Sequence, residues 1–381
     1  MLTAFRMKTV LKPWFLLFGL LLIVLLFSGC TGTGTVPRGW SGVTVDKGTL
    51  FLGSMDGRIV AVNTANGSLM WSVLLQNPPS GGGGFGCAPA PTAVAIYGTP
   101  TVDGDLVYIS GYNGKVYAIS ASTRLSKDTY LRKDNKSTPK PIIAGVAVAA
   151  GKVYAGSSDG LVYGLDTVSL DLKWQFASGD KIWSTPAVAG DTVYVTSFDK
   201  KLYALDANTG SKKWEFKTEG AIVSPPIIDG GTVYFGALDR YFYAVNVADG
   251  SPKWKFLAGK WFWAKPIVHN GIVYAANLDG KVYAINAASG QKQVEFNLGG
   301  PSSASPVMVG NMLIVATEAG KIYSLDTVTP SAEGQKLLAD LGEKVFSALA
   351  ASGGKVYIHS NNDRLYEIDA SSGAKRELNI K

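Results

Sequence analysis

Apolar and polar positions along this chain follow a short rhythm that returns every 40 residues through its middle. One copy, Thr185 to Thr218, reads TPAVAG, DTVYVTSFD, KKLYALDANTG, SKKWEFKT. Each piece is a β-branched and aromatic run bounded by Gly, Asp or Asn, the pattern of strands joined by tight turns. Aligned on a turn residue four places before an aromatic, eight copies emerge, at Asp56, Asn113, Asp159, Asp199, Asp239, Asp279, Ala319 and Asn362. Tyr stands four places on in every copy but the first, which has Val60. From Asp159 to Ala319 each step is 40, and the others are 57, 46 and 43. A fixed period of this length marks a solenoid, propeller or array. Asp-Gly or Asn-Gly fills the turn at Asp56, Asn113, Asp159 and Asp279, which predicts a two-residue hairpin turn there. No stretch after residue 40 carries a helical apolar period. Each repeat therefore predicts four antiparallel strands, A to D, and the chain an all-β, eight-bladed β-propeller over residues 40–381.

Two features favour a propeller. Pro100, Pro186, Pro226, Pro266 and Pro306 share one position in the predicted strand A, and proline, which cannot donate to a ladder, suits an edge strand such as the innermost of a blade. Just before it the residue is always small: Ser41, Gly98, Ala144, Ser184, Ser224, Ala264, Ala304 and Ser347. Crowding at a central axis explains this, and so does ordinary turn chemistry. Strands B and C are apolar on both faces (Val193, Tyr194, Val195; Leu202, Tyr203, Ala204, Leu205), as expected where neighbouring blades cover both sides. The Asp or Asn after strand C (Asp166, Asp206, Asn246, Asn286, Asp326, Asp369) recurs too regularly for a catalytic acid and reads as a turn cap. Both end blades look complete, so blade 8 is expected to take its outer strand from Lys375 to Ile380.

The N-terminus is a separate element. Arg6, Lys8 and Lys12 precede the 14-residue apolar run Trp14–Phe27, then Ser28, Gly29 and Cys30. The run fits a signal peptide and is shorter than the roughly 20 residues of a membrane span. Phe27-Ser28-Gly29-Cys30 resembles the lipobox of bacterial lipoproteins, with Phe27 where Leu is usual. That resemblance implies a signal peptide at 1–29, lipidation of Cys30 and a tether over 30–39, with an uncleaved anchor as the other reading. Either places the propeller outside the cytoplasmic membrane. Thr31 supplies no Asp after Cys30, which favours an outer membrane where one exists.

Charge and chemistry add exclusions. The chain is +7, and losing Arg6, Lys8 and Lys12 leaves 33 basic against 29 acidic residues, near +4; this is no nucleic-acid footprint. Arg124 to Lys140, with six basic and two acidic residues, reads as a solvated insert or a contact for anionic envelope polymers. With only Cys30 and Cys87 there is no disulfide framework, and the two histidines, His269 and His359, occupy unrelated repeat positions. Gly81 to Cys87 is glycine-rich but no Gly-Lys-Ser/Thr follows. No cofactor, metal or catalytic group is expected.

Ala204-Leu205-Asp206-Ala207-Asn208-Thr209-Gly210-Ser211-Lys212-Lys213-Trp214 resembles the tryptophan-docking repeat of pyrroloquinoline-quinone-type propellers. Ala61–Trp71 and Ala244–Trp254 match it well and Gly164–Trp174 more loosely, while the sixth copy has Val294 at the Trp position. The resemblance implies that Trp71, Trp174, Trp214 and Trp254 pack between blades. Quinoprotein dehydrogenases of this family carry adjacent cysteines, which this chain lacks. In length, blade number and N-terminal Cys the chain is similar to the BamB-type lipoprotein branch, which implies a non-catalytic envelope scaffold with a protein partner in outer-membrane β-barrel assembly. A quinone-dependent dehydrogenase and a glycan- or peptide-binding propeller remain the rival readings.

One position departs from repetition. Sixteen places before each turn residue stand Trp40, Tyr97, Ile143, Trp183, Val223, Trp263, Ser303 and Phe346, five of the eight aromatic. In the sixth copy the loop reads Lys260-Trp261-Phe262-Trp263-Ala264-Lys265. Aromatics beside lysines are typical of binding patches. Trp183, Lys260, Trp261, Phe262, Trp263, Lys265 and Phe346 are therefore the candidate partner-binding residues, at one mouth of the channel. The alternative is that the rings plug gaps between inner strands.

Overall fold

The computed structural model describes residues 39–77, 92–130 and 140–381. Cys30, the rest of the predicted signal and tether up to residue 38, and the glycine-rich segment with Cys87 lie outside them. The described strands form eight four-stranded sheets, each antiparallel and in simple chain order. Blade 4 is typical: Ala187–Ala189, Thr192–Thr196, Lys201–Asp206 and Lys212–Lys217 run from strand A at the channel to strand D outside. The A strands of successive blades lie against one another around the ring. Blade 8 ends with its own strand Lys375–Leu378, as expected, and blade 1 begins with its own Val43–Asp46. Among the described residues no strand is shared across the seam. One helical element occurs among the described residues, a 3-10 turn at Ala332–Gly334.

The core sits in the seams between blades. Tyr194, Leu202 and Ala204 of blade 4 pack on Ile222, Val233, Phe235 and Tyr243 of blade 5, all buried. Every one of the eight small residues before strand A is buried. At Gly98 a Cβ would meet the Ala144 carbonyl of the next blade at 2.5 Å, so crowding operates at that position. The prolines are buried just ahead of strand A, not within it. The predicted insert is partly strand: Ser126–Tyr130 is strand D of blade 2.

The spacing that aligned the repeats has a physical cause. The turn Asp accepts the Tyr hydroxyl four residues on: Tyr163 to Asp159 at 2.7 Å, Tyr203 to Asp199 at 2.6 Å, Tyr243 to Asp239 at 2.7 Å and Tyr283 to Asp279 at 2.5 Å. The same carboxylates also accept amides of the preceding D-to-A loop: Asp199 takes that of Gly179 and Asp279 that of Gly259. Burial, then the Asp partner, pushes the Tyr203, Tyr243 and Tyr283 hydroxyls well above the usual phenol range. Asp or Asn after strand C caps its turn as expected; the Asp206 carboxylate takes the amides of Asn208 and Thr209, both at 2.9 Å.

The two-residue turn is in a different place from the one expected. At Asp56-Gly57 the Gly57 amide bonds Ser54 and the Ser54 amide bonds Arg58, a three-residue loop with Gly57 at φ 84°. The two-residue turn joins A to B, with Lys47 and Gly48 both at positive φ between the paired Asp46 and Thr49. Asp-Gly serves either geometry, because each needs a residue at positive φ.

The docking tryptophans behave as the resemblance implies, with one adjustment. The indole nitrogens of Trp174, Trp214 and Trp254 donate to the carbonyls of Ala207, Val247 and Ala287 in the next blade at 3.1, 3.0 and 2.9 Å. Their rings lie on Gly210, Gly250 and Gly290 of that blade. Trp71 and Trp174 are buried, whereas Trp214 and Trp254, at the same place on strand D, are half-buried.

The seam of blades 8 and 1 is packed by apolar side chains such as Leu50 and Leu52 against Tyr357 and Leu365, and it also holds a buried polar group. His359 is fully buried; its Nδ1 meets the Ser41 carbonyl at 2.9 Å and its Nε2 meets Asp363 Oδ1 at 3.2 Å. Both neighbours are acceptors, so both bonds form together only when the ring carries two protons. Asp363 also accepts the Met55 amide of blade 1 at 2.8 Å and pairs with Lys381 at 3.2 Å. Ser41 in turn donates to the Gly98 carbonyl of blade 2 at 3.0 Å.

Candidate functional site

All eight positions sixteen before the turn line a single cavity of about 640 Å³ at one mouth of the channel. Backbone bonding puts a second ring beside them. In seven of the eight copies the residue before the turn Asp or its equivalent donates its amide to the D-to-A loop, as in Tyr112 to Ala95 at 2.9 Å, Phe198 to Lys181 at 3.0 Å, Leu278 to Trp261 at 3.1 Å and Glu318 to Pro301 at 2.7 Å, while Met55 of blade 1 donates to the Asp363 carboxylate. Tyr112, Leu278 and Glu318 thereby join the lining. Their signal was a non-repeating residue, often apolar, at an exposed turn: Met55, Tyr112, Ser158, Phe198, Leu238, Leu278, Glu318, Asn361.

The rings form an arc on one side. Trp40 packs edge-on to Tyr97 at 4.8 Å and tilted on Phe346 at 5.8 Å, and Tyr97 meets Tyr112 at 5.6 Å. Burial, and then the neighbouring Tyr112, raises the Tyr97 hydroxyl pKa. On blade 4, Trp183 donates to Ser158 Oγ at 3.1 Å, packs on Phe198 at 4.7 Å and carries the Lys181 ammonium 5.2 Å from its centroid.

Blade 6 divides the predicted patch. Trp261 and Trp263 keep 50% and 38% of their surface exposed, so they are not plugs. Phe262 is 1% exposed and packs on Phe242 and Tyr283, which removes it from the partner-binding set. Its position is filled by Ile96, Ile142, Ile182 and Ile222 in earlier blades, all buried. Lys260 is exposed, its carbonyl held by the Asn277 side chain at 2.9 Å. Lys265 occupies the next ring inward, with its amide on Ser305 Oγ at 3.1 Å. Its side chain keeps solvent contact, yet surrounding protein lowers its pKa by desolvation.

Among the described residues no group of three or more His, Cys, Asp or Glu could hold a metal ion. His269 is at the surface beside Asn270, and His359 is committed to the seam. The arrangement is a ring of varied side chains around the mouth cavity.

A profile of the family described as "Outer membrane protein assembly factor BamB" matches residues 38–169 and 158–376. The assembly factor BamB of Kangiella koreensis is 25% identical over 137 residues, 36% of this chain and 32% of that protein, so the matched segment spans about a third of that relative. Among solved structures, the computationally designed Ika8 protein superposes with a TM-score of 0.70 at 15% identity, covering 87% of this chain and 96% of its own. BamB from Moraxella catarrhalis gives 0.68 at 18% identity, over 85% and 95%. At these identities the solved structures establish the propeller fold. The profile, which runs over nearly all of the described blades, establishes kinship: the chain belongs to the BamB outer membrane protein assembly factor family.

Proposed function

We propose that this protein is a non-catalytic, lipid-anchored scaffold of the cell envelope that supports the assembly of outer-membrane β-barrel proteins, and that the channel mouth is its partner-facing surface. Membrane attachment is through Cys30, and the propeller lies on the extracytoplasmic side, on the outer membrane where the cell has one. The observation that carries the partner face is the exposure of Trp261 and Trp263 in a loop that occurs once, on a scaffold whose strands repeat. Loops on a rigid scaffold are where binding concentrates. The test is capture of envelope proteins by the full chain and by its Trp261→Ala/Trp263→Ala variant. Two truncated Trp anchors at about 2 kcal/mol or more in total weaken binding at least about thirtyfold, with melting temperature unchanged. Undiminished capture of an outer-membrane assembly factor by the variant refutes this face. Dye-linked alcohol or sugar oxidation on adding pyrroloquinoline quinone refutes the non-catalytic reading.

A further inference from the structure

The outer strands of blades 4 and 5 enclose a groove of about 450 Å³ that shares no residue with the mouth cavity. Its lining brings Phe216, Tyr243, Pro252 and Trp254 together with three lysines, Lys217, Lys253 and Lys255, against one carboxylate, Glu219. All three lysines are exposed. Lysine on an edge strand guards any blade against stray pairing; here the repeat shows a further change. Lys173 and Lys213 hold the place of Lys253 in the two preceding blades, and each pairs with the Asp after strand C, Asp166 at 3.5 Å and Asp206 at 3.8 Å. Lys213 also has Asp191 at 2.8 Å. Blade 5 puts Asn246 and Gly231 at the places of Asp206 and Asp191, and Lys253 donates to the neutral Thr232 Oγ1 at 2.6 Å and the Gly231 carbonyl at 3.3 Å. Lys255 stands where the flanking blades have Glu215 and Glu295, each bound to a lysine across the sheet, Lys201 at 2.7 Å and Lys281 at 2.6 Å. In blade 5 that cross-sheet residue is Tyr241, and the Lys255 ammonium lies 4.6 Å from its ring centroid. Lys217 stands where the neighbouring copies have Ala177 and Leu257. Relative to blade 4, blade 5 thus lacks three carboxylates beside its outer strand, and the lysines left without them line one groove.

We infer that this groove is a second binding site, for an acidic peptide segment with an apolar side chain: its carboxylates meet Lys217, Lys253 and Lys255, and its apolar group packs on Phe216 and Pro252. The charge complementarity is in the lining itself, three cations to one anion. Asp239 lies beside Tyr243, but its oxygens already accept the Tyr243 hydroxyl and the amides of Glu219, Gly220 and Tyr241. Phe216 is held against Tyr243, with ring centroids 5.6 Å apart, which gives the groove a firm apolar wall. A volume of about 450 Å³ suits a few side chains. The lining has no Asn, Gln, Asp, Arg or His, so it lacks the convergent amide and carboxylate groups that would sort the hydroxyls of a sugar. The site does not depend on the mouth being the partner face.

The test titrates the full chain by calorimetry with acetyl-Glu-Phe-Glu-Phe-Glu-amide and with its counterparts in which Gln or Lys replaces each Glu. The acidic peptide binds about tenfold more tightly than the neutral one, the sum expected of two or three exposed charge pairs, and the basic one binds more weakly still. Raising the salt concentration erases the preference. Lys255→Glu and Asn246→Asp, which restore the residues of blade 4, each cut the preference about two- to threefold and together abolish it, with binding of the neutral peptide unchanged. Lys336→Gln, at an exposed outer-strand lysine of blade 7, changes nothing. Equal affinity for the three peptides, a preference that survives the double variant, or an equal loss in Lys336→Gln overturns the inference. So does lysine-dependent binding of phosphatidylglycerol vesicles or of polygalacturonate without binding of the acidic peptide.

Discussion

Replacing His359 by Ala tests whether the seam between blades 8 and 1 is held by a built polar group. The ring is fully buried between the Ser41 carbonyl and the Asp363 carboxylate, itself 8% exposed. Removing the ring takes a hydrogen-bonding partner from a buried carboxylate, and leaving such a charge uncompensated costs about 3–5 kcal/mol. Asp363 keeps the Met55 amide and Lys381, which brings the expected cost to the lower end, about 3 kcal/mol. Urea unfolding followed by tryptophan fluorescence reads it as a midpoint lowered by about 1 M, for a slope near 3 kcal/mol/M. Asp363→Ala in both backgrounds completes a cycle, with a coupling of at least about 1 kcal/mol expected. Acid offers a second reading. Burial raises the Asp363 pKa, but His359, the Met55 amide and Lys381 outweigh it and hold the group at about 2, below its ordinary 3.8. A depressed folded pKa gives stability that is present above 3.8 and lost as pH falls toward 2; the gap corresponds to about 2.5 kcal/mol. Asp363→Asn flattens that part of the pH profile. A His359→Ala cost under about 1 kcal/mol, additive with Asp363→Ala, together with an unchanged acid slope in Asp363→Asn, refutes the reasoning.

Trp214→Ala is expected to destabilise by about 2–4 kcal/mol, below the full range for a buried aromatic because the ring is half-buried; Gly250→Val, which would drive a Cβ to 2.6 Å from that ring at φ 73°, should do at least as much by thermal melting. Tyr243→Phe removes one bond to Asp239 and should cost about 1 kcal/mol, whereas Asp239→Ala also frees the amides of Glu219, Gly220 and Tyr241 and should cost two- to threefold more. Cys30→Ser is expected to leave a larger, unprocessed precursor, with mass spectrometry of the native protein showing a lipid-modified Cys30 at its N-terminus in the unaltered chain.

Whatever repeats was legible. Blade number, strand order, the capping Asp after strand C and the Trp docking position each recur several times, so chance agreement is small. The ring of positions sixteen before the turn was legible for the opposite reason, because it varies where its neighbours do not. Phe262 was misplaced by its company: flanked by Trp261 and Trp263, it looked like part of one patch, although alignment with Ile182 and Ile222 marks an inward position. The turn at Asp56-Gly57 was misjudged because Gly at positive φ serves loops of two or three residues alike. His359 could not be read as a closing group, since closure happens once and leaves no repeat to compare. The second mouth ring was hidden because turn residues are usually read for backbone conformation, while here Tyr112 and Glu318 matter for where their side chains stand.

Ser41 grips blade 8 through its carbonyl and blade 2 through its hydroxyl, and a Cβ on Gly39 would strike the Ile96 backbone at 2.0 Å. The segment entering the ring is thus wedged between two neighbours before it becomes the first strand of its own blade. Mechanical load arriving along the chain from the N-terminal side would meet this wedge first and divide between both flanking blades. It would be borne as shear across two seams at once, instead of peeling a single edge strand bond by bond.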